Sequence, residues 1–583
     1  MTTALPTPRL RAPWTTPARL AAACLLFVHA CLAWSVRFPG LSAAVDDSMY
    51  LSLARALRSW SYAELWTVGG PAHAMYPPLF PGVLALVGAT GPTHVALAVS
   101  LNIALSVVAL GLTAVLAGRI APWLAVAVLV ICVPNPMLVH LAGSVFSEPL
   151  FAALTLGAVL LLATDAPTAR TRAMAGALAI AAALTRSIGV ALVLAMLAEW
   201  ALQRRWRSVV ALAACASLTV GAWTGWTVLA PRRAAGASYV ADALLAPSAA
   251  IPTPSGATAS AATPGDSVIR GQRPRDVDDV RAPQTQRWLR TAVTFGTRVP
   301  QRAIGYVTGH LPGALAQPDV TATRIDEALS LVVLLLAGGV GFARLLRWQR
   351  PTALYVAVYV GVLLIWPYGQ TRFLAPVLPI VALVLLVGIW SAGRSGLAPR
   401  VASVAVWVFA GAIGVFEARQ VTIRWVEVSR CDRTTDSWRD PSCASAIQRE
   451  FRAAIDTASK LAKVGTPLLT SKAPIVYLFS GRVAVWEDVA SEQRDPKTFV
   501  AYLREQQVDV VILSRMYIPQ WGLAPMLTTR CRDFELLASF GPHTKVLRLR
   551  GTEDKSLAPE LACEAIRSWA SADWRDDVSL GTF

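Results

Sequence analysis

The chain has 583 residues, of which 55% are hydrophobic types and only 15% are Asp, Glu, Lys or Arg, and its mean hydropathy is +0.50. Soluble domains run near ~25% charged, so these values exclude an ordinary water-soluble globule, and the apolar residues fall in runs of about 17–25, the length of a bilayer-crossing helix. The net charge of +17 would suggest nucleic acid in a soluble protein, but the arginines lie between apolar runs and all six lysines follow residue 459, so the charge reads as membrane topology and no nucleic-acid partner is expected.

Arg9, Arg11 and Arg19 precede the first apolar run, 20–36, and no small-residue cleavage site follows it. It reads as a first transmembrane helix with a cytoplasmic N-terminus, not a cleaved signal. Runs at about 93–117, 121–141, 147–164, 172–185, 188–203, 208–230, 326–343, 352–367, 373–391 and 401–418 bring the expected spans to eleven. Counted from inside, every short cytoplasmic turn is basic: Arg119; Arg170 with Arg172; Arg204, Arg205 and Arg207; Arg344, Arg347 and Arg350; Arg394 and Arg400. The short outer turns hold only Arg186 and Arg372. This is the positive-inside pattern. The stretch 77–90 is apolar but short, and counting it as a span would invert every later loop, so it reads as a helix near the outer interface within a first outer loop, 38–92. A second outer loop, 231–325, holds an Ala/Pro/Ser/Thr-rich tract at 246–265 and spaced apolar residues over 297–315 that predict an interfacial helix.

An odd number of spans places 419–583 outside. Helical spacing over 446–463 and 498–506, buried-strand patterns at 467–470 and 509–513, and a strand pair at 534–539 and 545–549 predict a small α/β domain there. The expected division is a transmembrane domain, 1–418, followed by this extracytoplasmic domain. Cys24, Cys31, Cys132 and Cys215 lie in apolar runs and read as packing residues. Cys431, Cys443, Cys531 and Cys563 lie in the outer segment, where an oxidising compartment predicts two disulfides in one of three pairings. Proximity alone favours Cys431 with Cys443.

Two acidic sites share the outer side. Asp46 and Asp47 stand at the start of an amphipathic stretch (Leu51, Leu53, Ala54, Leu57) just after the first span. One can cap the helix while the other, partly desolvated, acts as a general base. Glu148, in Ser147-Glu148-Pro149, opens a helix on the same side. Arg186 and Arg372 interrupt apolar runs there, which is costly without a partner, and guanidinium forks suit an anionic lipid phosphate. His310, in the second loop, is a candidate substrate contact. No Walker A sequence, Gly-rich phosphate loop or zinc-type ligand spacing occurs, so no metal and no cofactor are expected.

This pattern resembles the GT-C glycosyltransferases, in particular the polyprenyl-phosphate-sugar-dependent group of protein O-mannosyltransferases and the lipid A aminoarabinose transferase. Asp46-Asp47-x-x-Tyr50 with Ala54-Arg55 resembles their first-loop motif. Tyr76-Pro77-Pro78-Leu79-Phe80-Pro81 resembles a segment common in bacterial members, and Ser147-Glu148-Pro149 matches the second acidic site. Thr185-Arg186-Ser187-Ile188-Gly189 and Thr371-Arg372-Phe373-Leu374-Ala375-Pro376 match basic positions of later helices, and the segment from Lys472 to Arg482 resembles the outer domain of relatives. The aminoarabinose transferases have a Lys where this chain has Pro77, so Arg186 or Arg372 is expected to take over that phosphate contact. Oligosaccharyltransferase-type members bind a divalent metal, but their ligand pattern is not evident here.

The resemblance implies a multi-pass helical GT-C protein in a bacterial inner membrane. It would act as an inverting hexosyl- or pentosyltransferase from a polyprenyl-phosphate donor to a hydroxyl on a glycan, glycolipid or protein. Asp46 would be the base, Asp47 and Glu148 supporting acids, Arg186 and Arg372 phosphate ligands, and Tyr50 and Tyr76 further substrate contacts. The alternatives are a polyprenyl-pyrophosphate-dependent transferase, a flippase for a polyprenyl-linked substrate and a non-catalytic membrane scaffold.

Overall fold

The computed structural model describes residues 15–42, 45–164, 167–229, 324–365, 371–396, 399–431, 436–486, 495–516, 523–551 and 559–571. His310 and the helix expected over 297–315 lie outside them.

In chain order the helices are α1 (Thr16–Ser35), α2 (Val45–Arg58), α3 (Leu79–Leu86), α4 (Val95–Gly118), α5 (Pro122–Cys132), α6 (Pro136–Ala142), α7 (Glu148–Leu162), α8 (Ala169–Thr185), α9 (Val190–Leu202) and α10 (Trp206–Leu229). They continue as α11 (Arg324–Trp348), α12 (Arg350–Ile365), α13 (Leu378–Gly396) and α14 (Pro399–Ser429). Then follow α15 (Ala446–Leu461), β1 (Leu468–Thr470), α16 (Ala473–Ser480), β2 (Ala484–Trp486), α17 (Pro496–Glu505), β3 (Val510–Ser514), α18 (Leu523–Thr529), β4 (Phe534–Phe540), β5 (Thr544–Leu549) and α19 (Pro559–Ser571).

The chain divides into two compact units, the first made of 1–37, 100–228 and 238–426, the second of 38–99, 229–237 and 427–583. The first outer loop thus groups with the C-terminal segment, whereas the sequence reading assigns 38–92 to the transmembrane domain.

The first unit is a helical bundle. Among the described residues, four helices are long and apolar enough to cross a membrane: Thr16–Ser35, Pro92–Gly118, Trp206–Thr227 and Arg400–Ser429. The run expected as one straight span over 121–141 is instead two helices, α5 and α6, bent by 77°. Asn135 makes the break. Its side chain caps α6 by accepting from the Leu138 amide at 3.1 Å, and its Nδ2 donates to the buried Glu417 on α14 at 2.6 Å. Pro136 at the first turn fixes where the second helix begins. The bundle core is a continuous cluster of Ala, Val, Leu and Ile side chains. Glycine lets α11 and α13 approach most closely: a Cβ on Gly341 would strike the Val384 carbonyl, and one on Gly388 the Ala337 carbonyl. Small residues at helix crossings are the usual device where no hydrophobic effect separates helix from lipid. The arginines of the expected cytoplasmic turns also make bonds of their own. Arg119 Nη1 donates to the Leu160 and Ala163 carbonyls at the end of α7, and Arg350 forks onto Glu199 at 2.7 and 2.8 Å.

The second unit is an α/β domain with the first outer loop packed against it. Its sheet runs β2-β1-β3-β5-β4, parallel across β2-β1-β3 and antiparallel from β3 through β5 to β4. Val511 and Leu513 of β3, Leu547 of β5, Phe499 and Leu503 of α17, and Ile566 and Trp569 of α19 fill one core. Cys531 and Cys563 form a disulfide that ties α19 to the turn before β4. The second expected disulfide, Cys431 with Cys443, is not formed in this structure. Here they hold thiols beside one another, and burial is the main reason the Cys443 thiol is pushed up from its ordinary value. Several described contacts join the first loop to this domain. Trp438 Nε1 donates to the Leu41 carbonyl at 2.6 Å, the Ala484 amide at the edge of β2 donates to the Trp66 carbonyl at 2.8 Å, and α2 packs on α16.

Candidate active site

The first cluster lies in the first outer loop. α2 begins at Val45, so Asp46 and Asp47 fall in its first turn, where the helix macrodipole favours negative charge. Their surroundings differ. Asp47 is buried, and its two oxygens accept from the Ser42 amide at 2.5 Å and the Ser48 amide at 2.7 Å. Burial pushes its carboxyl up to about 7 against the opposing pull of those amides, and the neighbouring Asp46 charge adds to the rise. Asp47 therefore ties the loop entering α2 to the helix. Asp46 is only half-buried, and its Oδ1 accepts from the Tyr76 hydroxyl at 2.6 Å. Of the two acids it is the one with a face open to a reactant.

Tyr76 belongs to a braced hairpin, 62–76. The backbone bridges at Ala63 and Ala72, the Glu64 amide donates to the Pro71 carbonyl, and the His73 amide donates to the Tyr62 carbonyl. The Tyr62 hydroxyl in turn donates to the Tyr76 carbonyl at 2.7 Å. Tyr50, one helical turn after Asp46, is buried with its ring 4.8 Å from that of Tyr76 and edge-on to Phe80 at 4.9 Å. It supports Tyr76 from below. Arg55 reaches the Thr90 carbonyl and stacks over the Tyr477 ring, which fixes the other end of α2.

The second cluster lies in the bundle. Glu148 opens α7 and is buried, and its Oε1 meets Arg186 Nη1 at 2.7 Å. The same Nη1 donates to Ser147 Oγ at 3.0 Å. Arg186 stands in the sharp turn between α8 and α9. Gly189 permits the turn, since a Cβ there would lie 2.6 Å from the backbone of Ala182 and Ala183. Phe373 lies under both arginines, 5.6 Å from the Arg186 guanidinium and 5.6 Å from that of Arg372, and Arg372 also lies 5.6 Å from the Phe146 ring. The Tyr359 hydroxyl holds the Phe373 carbonyl at 2.6 Å, and Asn102 Nδ2 holds the Ser144 and Phe146 carbonyls at 2.6 and 2.8 Å. Two guanidiniums and one carboxylate thus gather over the Phe373 and Phe146 rings. The cluster is equipped to hold a phosphate.

Of the residues singled out in the sequence, Asp46, Asp47, Tyr50 and Tyr76 thus come together in the second unit, and Glu148, Arg186 and Arg372 in the first. The sequence reading takes Glu148 as a supporting acid; its observed ion-pair partner is Arg186. Sequence reasoning missed Glu64, His73, Asn102 and Arg424. Arg424, on α14, bears electrostatically on the buried His140 together with Arg372. A signal for it existed, because an arginine just beyond the last apolar run resembles Arg186 and Arg372, which also border apolar runs. No signal marked Asn102, an ordinary polar residue in an apolar run. Among the described residues no three His, Cys, Asp or Glu side chains come together as metal ligands.

No family model matches the chain, and no curated protein does. Among solved structures, the archaeal oligosaccharyltransferase AglB from Archaeoglobus fulgidus, in complex with an inhibitory peptide and a dolichol-phosphate, is similar over 93% of this chain and 76% of its own, with a TM-score of 0.50 at 12% identity. ArnT from Cupriavidus metallidurans, bound to undecaprenyl phosphate, is similar over 92% of this chain and 100% of its own, with a TM-score of 0.46 at 12% identity. The arabinofuranosyltransferase AftD from Mycobacteria is similar over 94% of this chain and 40% of its own, with a TM-score of 0.47 at 14% identity. At such identities a likeness speaks of fold and not of activity, and the fold comparison rests on AglB. The chain has the fold of AglB.

Proposed function

We propose that this protein is an integral membrane glycosyltransferase. It moves a hexose or pentose from a polyprenyl phosphate to a hydroxyl acceptor on the extracytoplasmic face of a bacterial inner membrane, with inversion at the anomeric carbon. The observation that carries the reading is the setting of Asp46: a half-exposed carboxylate at the first turn of α2, held at 2.6 Å by the Tyr76 hydroxyl beside a fully buried Asp47. The fold shared with AglB supports it, and Arg186 and Arg372, each 5.6 Å from the Phe373 ring, are the groups proposed for the phosphate.

In this reading the acceptor oxygen attacks the anomeric carbon and Asp46 takes its proton. The bond between that carbon and the phosphate oxygen breaks, and the electron pair leaves on the phosphate. The donor is a phosphodiester with one negative charge, and the departing lipid phosphate gains charge as the bond breaks. Arg186 and Arg372 stabilise that gain, so their attraction is larger in the transition state than in the ground state. Glu148 holds Arg186 in place through the 2.7 Å ion pair. The eleven-span topology with N-terminus inside, and an extracytoplasmic 419–583, belong to the same proposal.

The test is Asp46→Asn in membranes supplied with undecaprenyl phosphate bearing radiolabelled mannose or arabinose. Sugar transfer should fall by roughly 10²–10⁴, the usual contribution of a general base. Transfer at the wild-type rate by a well-folded variant overturns the assignment. Movement of labelled donor across the bilayer with no transfer would favour a flippase.

A further inference from the structure

We propose that Glu64 and His73 are positioning residues for Asp46, acting through Tyr76. The inference rests on the reading of Asp46 as the base, and its argument is a chain of hydrogen bonds within one compact unit. The Tyr76 backbone N–H donates to His73 Nε2 at 2.9 Å. An amide N–H can only donate, so Nε2 presents its lone pair and the ring proton sits on Nδ1. Nδ1 faces Glu64 Oε1 at 3.0 Å and donates to it. The second Glu64 oxygen accepts from Thr67 Oγ1 at 3.2 Å. Geometry alone therefore assigns the tautomer and gives each atom of the chain one role.

The setting is rigid. His73 has no exposed surface, and the rings of Tyr62, Trp66 and Tyr76 surround it with centroids at 5.6, 6.0 and 5.5 Å. Trp66 is itself fully buried, and its carbonyl is pinned by the Ala484 amide of the sheet. The α/β domain thus anchors the hairpin, the Glu64–His73 pair anchors the Tyr76 backbone, and the Tyr76 hydroxyl anchors Asp46. A buried His–Glu pair carries a desolvation cost that an apolar pair would not. Its retention beside a candidate base fits a role in aiming Tyr76: catalytic groups must be held within fractions of an ångström, and a misplacement near 1 Å costs about 10²-fold.

The experiment is a double-mutant cycle on the full-length protein with two readouts. The first is labelling of Asp46 by a water-soluble carbodiimide, read by mass spectrometry, which needs no substrate. His73→Phe and Tyr76→Phe should each raise Asp46 labelling several-fold to a common level, and the double variant should go no higher. The second is transfer from undecaprenyl phosphate bearing radiolabelled mannose or arabinose. His73→Phe should lower kcat about 10–100-fold with the donor KM within about twofold. His73→Gln, whose amide oxygen reaches the place of Nε2, should restore most of the loss, and Glu64→Gln, which keeps an acceptor for Nδ1–H, should show a milder one. Labelling of Asp46 that is unchanged in His73→Phe, or additive effects in the double variant, overturns the inference. If labelling is coupled as described but Asp46→Asn transfers sugar normally, the proposed function fails instead and the positioning role falls with it.

Discussion

Asp47 makes a quantitative prediction about pH. Its carboxyl sits at about 7 in the folded loop, against an ordinary 3.8, because burial outweighs the two amide bonds it accepts. The folded state therefore binds this proton more tightly than the open loop does. Stability from the protonated group is fully present below about pH 4 and is lost as pH rises through 7. A gap of about three pH units at ~1.36 kcal/mol each amounts to about 4 kcal/mol, of which about two units fall between pH 5 and 7. The amides of Ser42 and Ser48 report it directly, since both donate to Asp47. After correction for the intrinsic pH dependence of exchange, hydrogen–deuterium exchange at these two amides should accelerate roughly 100-fold from pH 5 to pH 7. In Asp47→Asn, which cannot ionise, the corrected rates should be flat. Protection in the wild type that is constant or grows with pH would refute the burial argument, and with it the division of labour between Asp47 and Asp46.

Three further outcomes follow from packing and charge. Arg186→Met leaves Glu148 buried without its cation and should destabilise the protein in detergent by about 3–5 kcal/mol, while adding Glu148→Gln to it should recover part of the loss in a thermal melt. Cys531→Ser opens a loop of 32 residues and should cost the α/β domain about 3–4 kcal/mol, seen as a lower melting temperature that a reducing agent also produces in the wild type. Gly388→Leu drives a side chain into the Ala337 carbonyl and should abolish the monodisperse peak in size-exclusion chromatography, whereas Gly361→Ala on α12, which meets no atom within 4 Å, should be neutral or stabilising by up to ~1 kcal/mol.

Much of the helical architecture was legible because apolar runs must be helical in lipid, where no water satisfies a free backbone. Each expected run contains helix in the structure, including α7 starting at Glu148 and α12 starting at Arg350. The break at Asn135 was not legible: the run 121–141 is apolar throughout, and the bend depends on Glu417, 282 residues away in sequence, offering its carboxylate to Asn135. In the C-terminal segment, strands β1, β3, β4 and β5 lie where the apolar patterns placed them, while β2, at the edge of the sheet, was not placed. The site candidates were chosen by residue type and expected side of the membrane, which carries no information on which cation Glu148 meets. Its ion pair with Arg186 joins two helices that the linear chain separates by 38 positions, and no local spacing encodes it.

The linear chain already carried the class of molecule, the positions of its apolar helices, and the acids and arginines near their ends, because hydropathy and charge act through local segments and the bilayer reads them one segment at a time. Folding assigned what those groups do. It buried Asp47 and left Asp46 partly open, although the two are neighbours with the same side chain, and it spent Glu148 on Arg186. It also brought the loop 38–92 onto the C-terminal domain through Trp438 and Ala484. Burial, and the partner that comes with it, are set by which distant segments pack together, and a carboxylate's chemistry follows from both.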